Sequence, residues 1–452
     1  RQEMLHDPSK GYSRLLEYRL SQVLKPAKQH GVKIITNMGA VNPRAAVAKA
    51  MEIARAQGIT GLKFAAVTGD DVFSQLEQYS DAPILEFDGT VGQWTERLVS
   101  ANAYMGAEGI IQALKDGADV VITGRVADPT LTLAPLRYEY GWTIDDAGPI
   151  GQCVLAGHLL ECGGQVTGGY YADPGYKEVP DLDNLGFPLV EFDETGRFTL
   201  TKVAGTGGLV SVDTCKEQML YEIHNPAAYL TPDAIADFSH VRFTQEGKDR
   251  VSAWGATSHG LPGQLKVNVC YRDSFITDCE ISYGGCNALE RARLAGDMFL
   301  KRLDRLGVAY TETRVDYIGY NSLYRDKLAA CLSPSPAAEI RLHVAVRTDD
   351  RENAVMVSNE GDSIYTNISL IPWNEADYPM LKEQVTAQRV KEYFSEICLG
   401  KVTRYEADGI CALNFVMEQA LGGGVLRSLA MDKHGKSLSS APVSYTHLRA
   451  HE

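Results

Sequence analysis

Three times in the first third of the chain a short apolar run, rich in β-branched residues, breaks off into a polar loop that carries glycine. The runs are residues 32–35, 62–67 and 119–122. The first is followed by TNMGAVNP (36–43) and then a helical pattern from Pro43, with Val47, Met51 and Ala54 on one face. The second ends in TGDD (68–71), and the third in TGRVADP (123–129), after a helical stretch at 107–116 that Gly117 stops. This β-then-α rhythm predicts an α/β domain with a mostly parallel sheet and helices on its faces. In an open sheet of that kind, ligands bind beyond the carboxyl ends of the strands, which is where all three loops fall.

The loops therefore supply the first candidate ligand contacts: Asn37, Gly39, Asn42, Gly69, Gly124, Arg125 and Asp128, with Asp70 as a candidate catalytic residue that orients a partner. Glycines permit close backbone approach, and the helix N-termini that follow favour an anionic group. Each loop also has a plainer explanation. Asn42-Pro43 and Asp128-Pro129 have the grammar of an N-cap followed by proline at the first helical position. The guanidinium of Arg125 can hold a carboxylate or phosphate with two prongs, or it can pair with Asp70 or Asp71 as a structural ion pair.

The middle of the chain changes character near residue 205. Strand-like runs at 198–203, 241–244, 265–269 and 276–283 are separated by turn-rich pieces, and one long helical pattern covers 286–306. This reads as an α+β continuation of the first domain, which is placed at 1–332. The run SPSPAA (333–338) is a natural linker. Beyond it, strand signals at 339–346, 364–371 and 401–405 alternate with helical signals at 378–397 and 411–421. That alternation suits a small C-terminal ferredoxin-like α+β domain over 339–441. The last eleven residues, PVSYTHLRAHE (442–452), resemble translated adaptor sequence and are expected to be non-native, His447 and His451 included.

A second constellation is GHLLECGG (157–164). On a helix, His158 and Glu161 stand three apart and share a face, as a metal-ligand pair, an acid and a base, or a local structural contact can. The glycines of QVTGG, Gly168 and Gly169, suggest a tight turn beside something bulky. In KVAGTGG (202–208), Lys202, Gly205, Thr206, Gly207 and Gly208 lie between a strand and a helix signal. Such a loop is either a simple turn or a nest of backbone N–H groups for an anion, with Lys202 adding a point charge. No P-loop, complete dinucleotide fingerprint, GxSxG, HExxH or EF-hand loop occurs.

Charge and cysteine use narrow the classes further. Lys plus Arg number 44 against 58 Asp plus Glu, a net charge of −14, so nucleic acid is not an expected partner. No apolar run approaches a membrane span. The nine cysteines are scattered without CxxC spacing, which suits reduced thiols and a cytoplasmic protein rather than a zinc ribbon or disulfide framework. No metal site is assigned.

The stretches TNMGAVNP, ALKDGADVVITGRVADPTLTLAPLRYEYGW, GHLLECGGQVTGGYYADPG, TKVAGTGG and EQMLYEIHNPAAYLTPD together resemble the AtuA family, named for acyclic terpene utilisation. YIGYNSLY near Tyr317 and ALNFVMEQALGGGVLRSLAMDKHGKSLSS extend the resemblance, which covers nearly all of residues 4–440. It implies a large N-terminal α/β domain, a ferredoxin-like C-terminal domain, and a place in citronellol- and geraniol-type catabolism through CoA thioesters. It also implies that a strand and Gly-rich turn precede the segment seen here. Members carry an RSGDKG-like loop before an NIG strand. Here that stretch reads NEGDSIYTNI (359–368): Gly361, Asp362 and Asn367 match, but the basic positions do not. Gly422 to Gly424 and Arg427 do match.

The expectation that follows is an enzyme of lyase or hydrolase type acting on a branched acyl-CoA or related acid. His158 and Glu161 would be its acid and base, and Arg125, Lys202 and the 205–208 loop its anion contacts. Coenzyme A would enter only as part of the substrate. The other expectations are a non-catalytic binding or assembly module of the same pathway and a metal-dependent hydrolase. A homo-oligomer is expected.

Overall fold

The computed structural model describes residues 2–86, 88–285, 287–332, 339–362, 375–396, 398–408 and 412–417. The chain divides into two compact units, Arg1–Arg272 and Asp273–Glu452.

In the first unit the three predicted strands form one parallel sheet, in the order Ile34–Thr36, Val120–Thr123, Phe64–Val67. The central strand is buried along its whole length, because helices cover both faces. Its side chains alternate between them. Val120 and Ile122 meet Leu16, Leu20 and Leu24 of the helix Leu16–His30 and Ala46, Ala50 and Ile53 of Pro43–Ala56. Val121 faces the other way, into a core with Ile110 and Leu114 of Glu108–Lys115, Leu133 of Thr130–Tyr140 and Leu155 of Ala147–Glu161.

The last of these helices is apolar all round and buried from Ile150 to Leu159, as a helix threaded through a core must be. Two glycines let backbone approach it. A Cβ on Gly151 would lie 2.4 Å from the Thr257 main chain, and one on Gly157 would lie 2.6 Å from the Pro129 main chain. The second contact brings the end of the TGRVADP loop against the turn that carries His158.

A mostly parallel domain is nevertheless not what the rest of the unit forms. Its other sheets are antiparallel: Pro188–Phe192, Phe198–Lys202, Arg250–Trp254 and Arg242–Gly247 in one, Thr257–Ser258, Ala234–Asp237 and Tyr229–Thr231 in another, and Leu98–Ala103 with Val267–Tyr271 in a third. The reason lies in the connections. Parallel neighbours need a crossover, whereas the turn at Asp193, which accepts from Thr195 N at 2.8 Å, is only long enough to return a strand beside its predecessor.

The second unit begins with a strand–helix–strand–helix–strand–helix run: Phe275–Gly284, Ala288–Arg305, Glu312–Ile318, Arg325–Leu332, Glu339–Thr348 and Arg351–Asp362. The third strand pairs antiparallel with both others, giving the spatial order first–third–second of a split β-α-β unit. Ile340, Leu342, Val344 and Val346 of that middle strand pack on Ala292, Phe299 and Leu303 of the first helix. The strand expected to open a separate domain after the linker is thus hydrogen-bonded between two strands that precede it. Residues 333–338 themselves lie outside the described residues.

The helices Tyr378–Gln384 and Ala387–Tyr393 and the antiparallel pair Val402–Ala407 and Ala412–Met417 follow. The helix expected over 411–421 is therefore a strand over its described part. A short apolar run reads equally well either way until a partner strand decides it, and here Leu413 is buried with Val402 and Phe394. The strand expected at 364–371, the match at Asn367 and those at 422–427 lie outside the described residues.

Candidate functional site

The strand-end loops are stitched together by Asp70. It is 3% exposed, and its Oδ2 accepts from Arg125 N and from Asn102 Nδ2, each at 2.9 Å. Gly124 has no room for a side chain, since a Cβ there would stand 2.3 Å from Asp70 Oδ1. Gly39 is confined in the same way, 2.4 Å from the Thr123 carbonyl oxygen. Gly69 adopts a φ of +124°, which L side chains rarely adopt. Asn42 is the expected cap, accepting from Ala45 N at 3.2 Å, and its amide also donates to the Pro8 and Lys10 carbonyls. The half-buried Asn37 closes the first loop through its carbonyl, which accepts from Ala40 N. These residues shape the sheet edge.

Arg125 does not form the ion pair with Asp70 or Asp71 that its spacing allowed. Its Nη2 donates to the Tyr104 hydroxyl, its Cζ lies 4.2 Å from the centre of that ring, and Nε is out of solvent with no acceptor among the described residues. Lys266 reaches the same ring, with Nζ 5.1 Å from its centre. Asp128 is not a cap. Pro129 occupies the N-cap position of Thr130–Tyr140, and the half-buried Asp128 carboxylate makes no hydrogen bond among the described residues.

His158 and Glu161 do share a face at the end of their helix, with Nδ1 and Oε1 3.5 Å apart. His158 is 1% exposed. Among the described residues neither ring nitrogen has a well-formed hydrogen bond, and its ring packs on Tyr229 and Phe238 at centroid distances of 5.4 and 6.3 Å. Burial holds its pKa below the usual imidazole value, favouring the neutral ring. The Glu161 side chain is 13% exposed. Its carboxyl is pushed up to about 7, first by burial and then by the negative charges of Asp128 and Glu222, with Arg125 opposing. The phenol of Tyr229 is raised by burial and by Glu161, Asp128 and Glu222. Gln218 Nε2 donates to the His158 carbonyl at 3.1 Å, tying the helix Val212–Leu220 to this end. Glu222 follows with a φ of +60°, an uncommon conformation for a residue with a side chain.

So Arg125, Asp128, His158 and Glu161 come together, and Tyr104, Tyr229, Glu222 and Lys266 join them. The KVAGTGG loop does not supply an anion nest. Gly207 N donates to the Asn184 carbonyl at 2.9 Å and Gly208 N to that of Pro180 at 2.7 Å. Lys202 Nζ donates to the Thr206 carbonyl at 2.6 Å and sits 3.6 Å from Asp249. Gly205, with a φ of +76°, is a turn residue. Gly168 and Gly169 serve a turn as well, their N–H groups donating to the Gln165 and Gly164 carbonyls.

One buried carboxylate had no local signal. Asp233 accepts from Ala107 N at 2.8 Å and Thr130 Oγ1 at 2.6 Å, joining the starts of two helices across more than a hundred residues of sequence. Tyr104 and Lys266 were equally hidden, since only the pairing of Leu98–Ala103 with Val267–Tyr271 brings them together. Among the described residues no three His, Cys, Asp or Glu side chains gather as metal ligands, and no helix is long and apolar enough to cross a membrane.

Residues 1–389 match the family described as acyclic terpene utilisation family protein AtuA, and residues 356–446 match the AtuA ferredoxin-like domain. No curated protein and no solved structure matches the chain.

Proposed function

Because the chain belongs to the AtuA family, we propose that it is an enzyme of acyclic terpene or branched-acid catabolism that moves a proton on a carboxylic acid or its CoA thioester. Lyase or hydrolase chemistry fits this reading. Glu161 is the general acid and base, and His158 is a positioning residue behind it. Arg125 holds an anionic group of the substrate, with Asp128 beside it. The chain acts as a homo-oligomer in this reading.

The observation that carries the proposal is a carboxyl group titrating at about 7, placed against a buried neutral imidazole and within the field of Arg125. A group half-protonated at neutral pH can both give and take a proton, the condition under which acid–base catalysis works best. The division of labour follows from exposure: Glu161 reaches the surface of the site and His158 does not. A neutral imidazole 3.5 Å away walls the carboxyl off from water without competing for its proton through charge.

The test is turnover of branched acyl-CoA thioesters and of their free acids as a function of pH. Glu161→Gln is expected to abolish turnover and leave folding intact. His158→Asn is expected to lower the rate and move the pH profile. Turnover unchanged in both variants would refute the assignment. The complete burial of His158 favours a second reading, a binding or assembly module, and ligand-induced stabilisation with no product on long incubation would select it.

A further inference from the structure

We propose that Lys266 and Tyr104 complete, with Arg125, a subsite for a single carboxylate of the substrate. The proposal rests on the reading of Arg125 as an anion contact and adds two residues and a ligand chemistry to it.

The geometry is built by main chain. Leu98–Ala103 runs antiparallel to Val267–Tyr271, and just past their last pair Tyr104 N donates to the Lys266 carbonyl at 2.9 Å. On the other side, Met105 bridges to Val126, with Met105 N donating to the Arg125 carbonyl at 3.2 Å and Ala127 N to that of Met105 at 3.1 Å. Tyr104 is thereby held between the segments that carry the two cations. Both cations lie over its ring, and its hydroxyl accepts from Arg125. An aromatic face offsets only part of the repulsion between two like charges.

What the arrangement lacks is an anion. The contrast is sharpest for the half-buried Arg125, since the similarly enclosed Arg137 has Glu108 at 2.8 Å and Lys202 has Asp249 at 3.6 Å. Among the described residues neither Arg125 nor Lys266 has one, and Arg125 Nε lacks any acceptor. The buried Arg125 Nε, with its hydrogen-bonding direction unused, is therefore the point at which a negative group from outside would be held. A carboxylate suits it better than a phosphate dianion or the phosphates of coenzyme A. Asp128, Glu161 and Glu222 share the neighbourhood, and each further negative charge on the ligand meets their repulsion.

The test is calorimetric titration of the full chain at constant ionic strength with isovalerate, inorganic phosphate and free CoA. Isovalerate should bind, and phosphate and CoA should not displace it. Because Lys266 is exposed, Lys266→Gln should fold normally and weaken isovalerate about tenfold, the size of one charge-assisted hydrogen bond. Tyr104→Leu should weaken it further, with thermal melting as the control for folding. If Lys266→Gln binds like the wild type while Arg125→Gln does not bind, the subsite is overturned and the role of Arg125 stands. If isovalerate does not bind, or Arg125→Gln binds it unchanged, both fail. Preferential binding of phosphate would overturn the carboxylate assignment.

Discussion

His158 Nδ1 lies 3.5 Å from Glu161 Oε1, one helical turn apart at the end of a helix buried on every side. The two groups bend the stability of the fold with pH in opposite directions. Glu161 is raised from 4.5 to about 7, so the folded state holds its proton longer than the unfolded chain does. Its contribution is fully present below pH 4.5 and is lost as pH rises to about 7. The size at stake is on the order of 3 kcal/mol, from about 1.4 kcal/mol for each pH unit. His158 is lowered from 6.5, so its contribution is present above that pH and fades as pH falls through its folded value. Glu161→Gln is therefore expected to flatten the loss of stability between pH 4.5 and 7 while leaving the loss at lower pH in place. Urea denaturation at half-unit pH steps measures both slopes.

Asp70 and Gly124 form one joint between two strand ends. Asp70→Ala removes the acceptor of Arg125 N and Asn102 Nδ2 together and is expected to cost about 2–4 kcal/mol. Gly124→Ala places a Cβ where Asp70 Oδ1 now stands, 2.3 Å away, and forces the carboxylate out. The two changes damage the same contact, so the double variant should be less destabilised than the sum of the singles. A double-mutant cycle from denaturant melts gives the coupling. Strict additivity would show that Asp70 and Gly124 are not coupled.

Asp233 makes a prediction that separates framework from site. Its two oxygens accept from Ala107 N and Thr130 Oγ1, and burial pushes its pKa up. Asp233→Ala should destabilise the fold by about 2–4 kcal/mol. Isovalerate affinity, measured well below the melting temperature, should stay unchanged.

What could be read from the chain follows the range of each interaction. The strands at 34–36, 64–67 and 120–123, the Asn42 cap and the long helix after residue 286 depend on neighbours a few positions away, and the amino acids there announce them. The His158–Glu161 pair was visible for the same reason, being three residues apart on one helix. The antiparallel sheets were not, because Phe198–Lys202 and Arg250–Trp254 are short strands whose partners only the folded chain selects. The partners of the strand that follows SPSPAA were hidden in the same sense. A proline-serine run marks a loop, but it does not say whether the next strand leaves the sheet or, as Glu339–Thr348 does, returns to its centre. Arg125, Tyr104 and Lys266 meet only through pairing across more than 160 residues.

Lys202 is the last residue whose two roles can be told apart by experiment. As an anion contact it would face the ligand. In the structure it is instead the tether of its own loop, donating to the Thr206 carbonyl at 2.6 Å with Asp249 3.6 Å away, and its side chain is 8% exposed. Lys202→Met keeps the aliphatic stem and removes the ammonium, leaving the Asp249 carboxylate without its cation. The expected cost is about 1–3 kcal/mol of stability. The affinity for isovalerate should not change, because the loop N–H groups of Gly207 and Gly208 are already committed to Asn184 and Pro180. Calorimetry and thermal melting on the one variant decide it. A loss of affinity at unchanged melting temperature would return Lys202 to the ligand site.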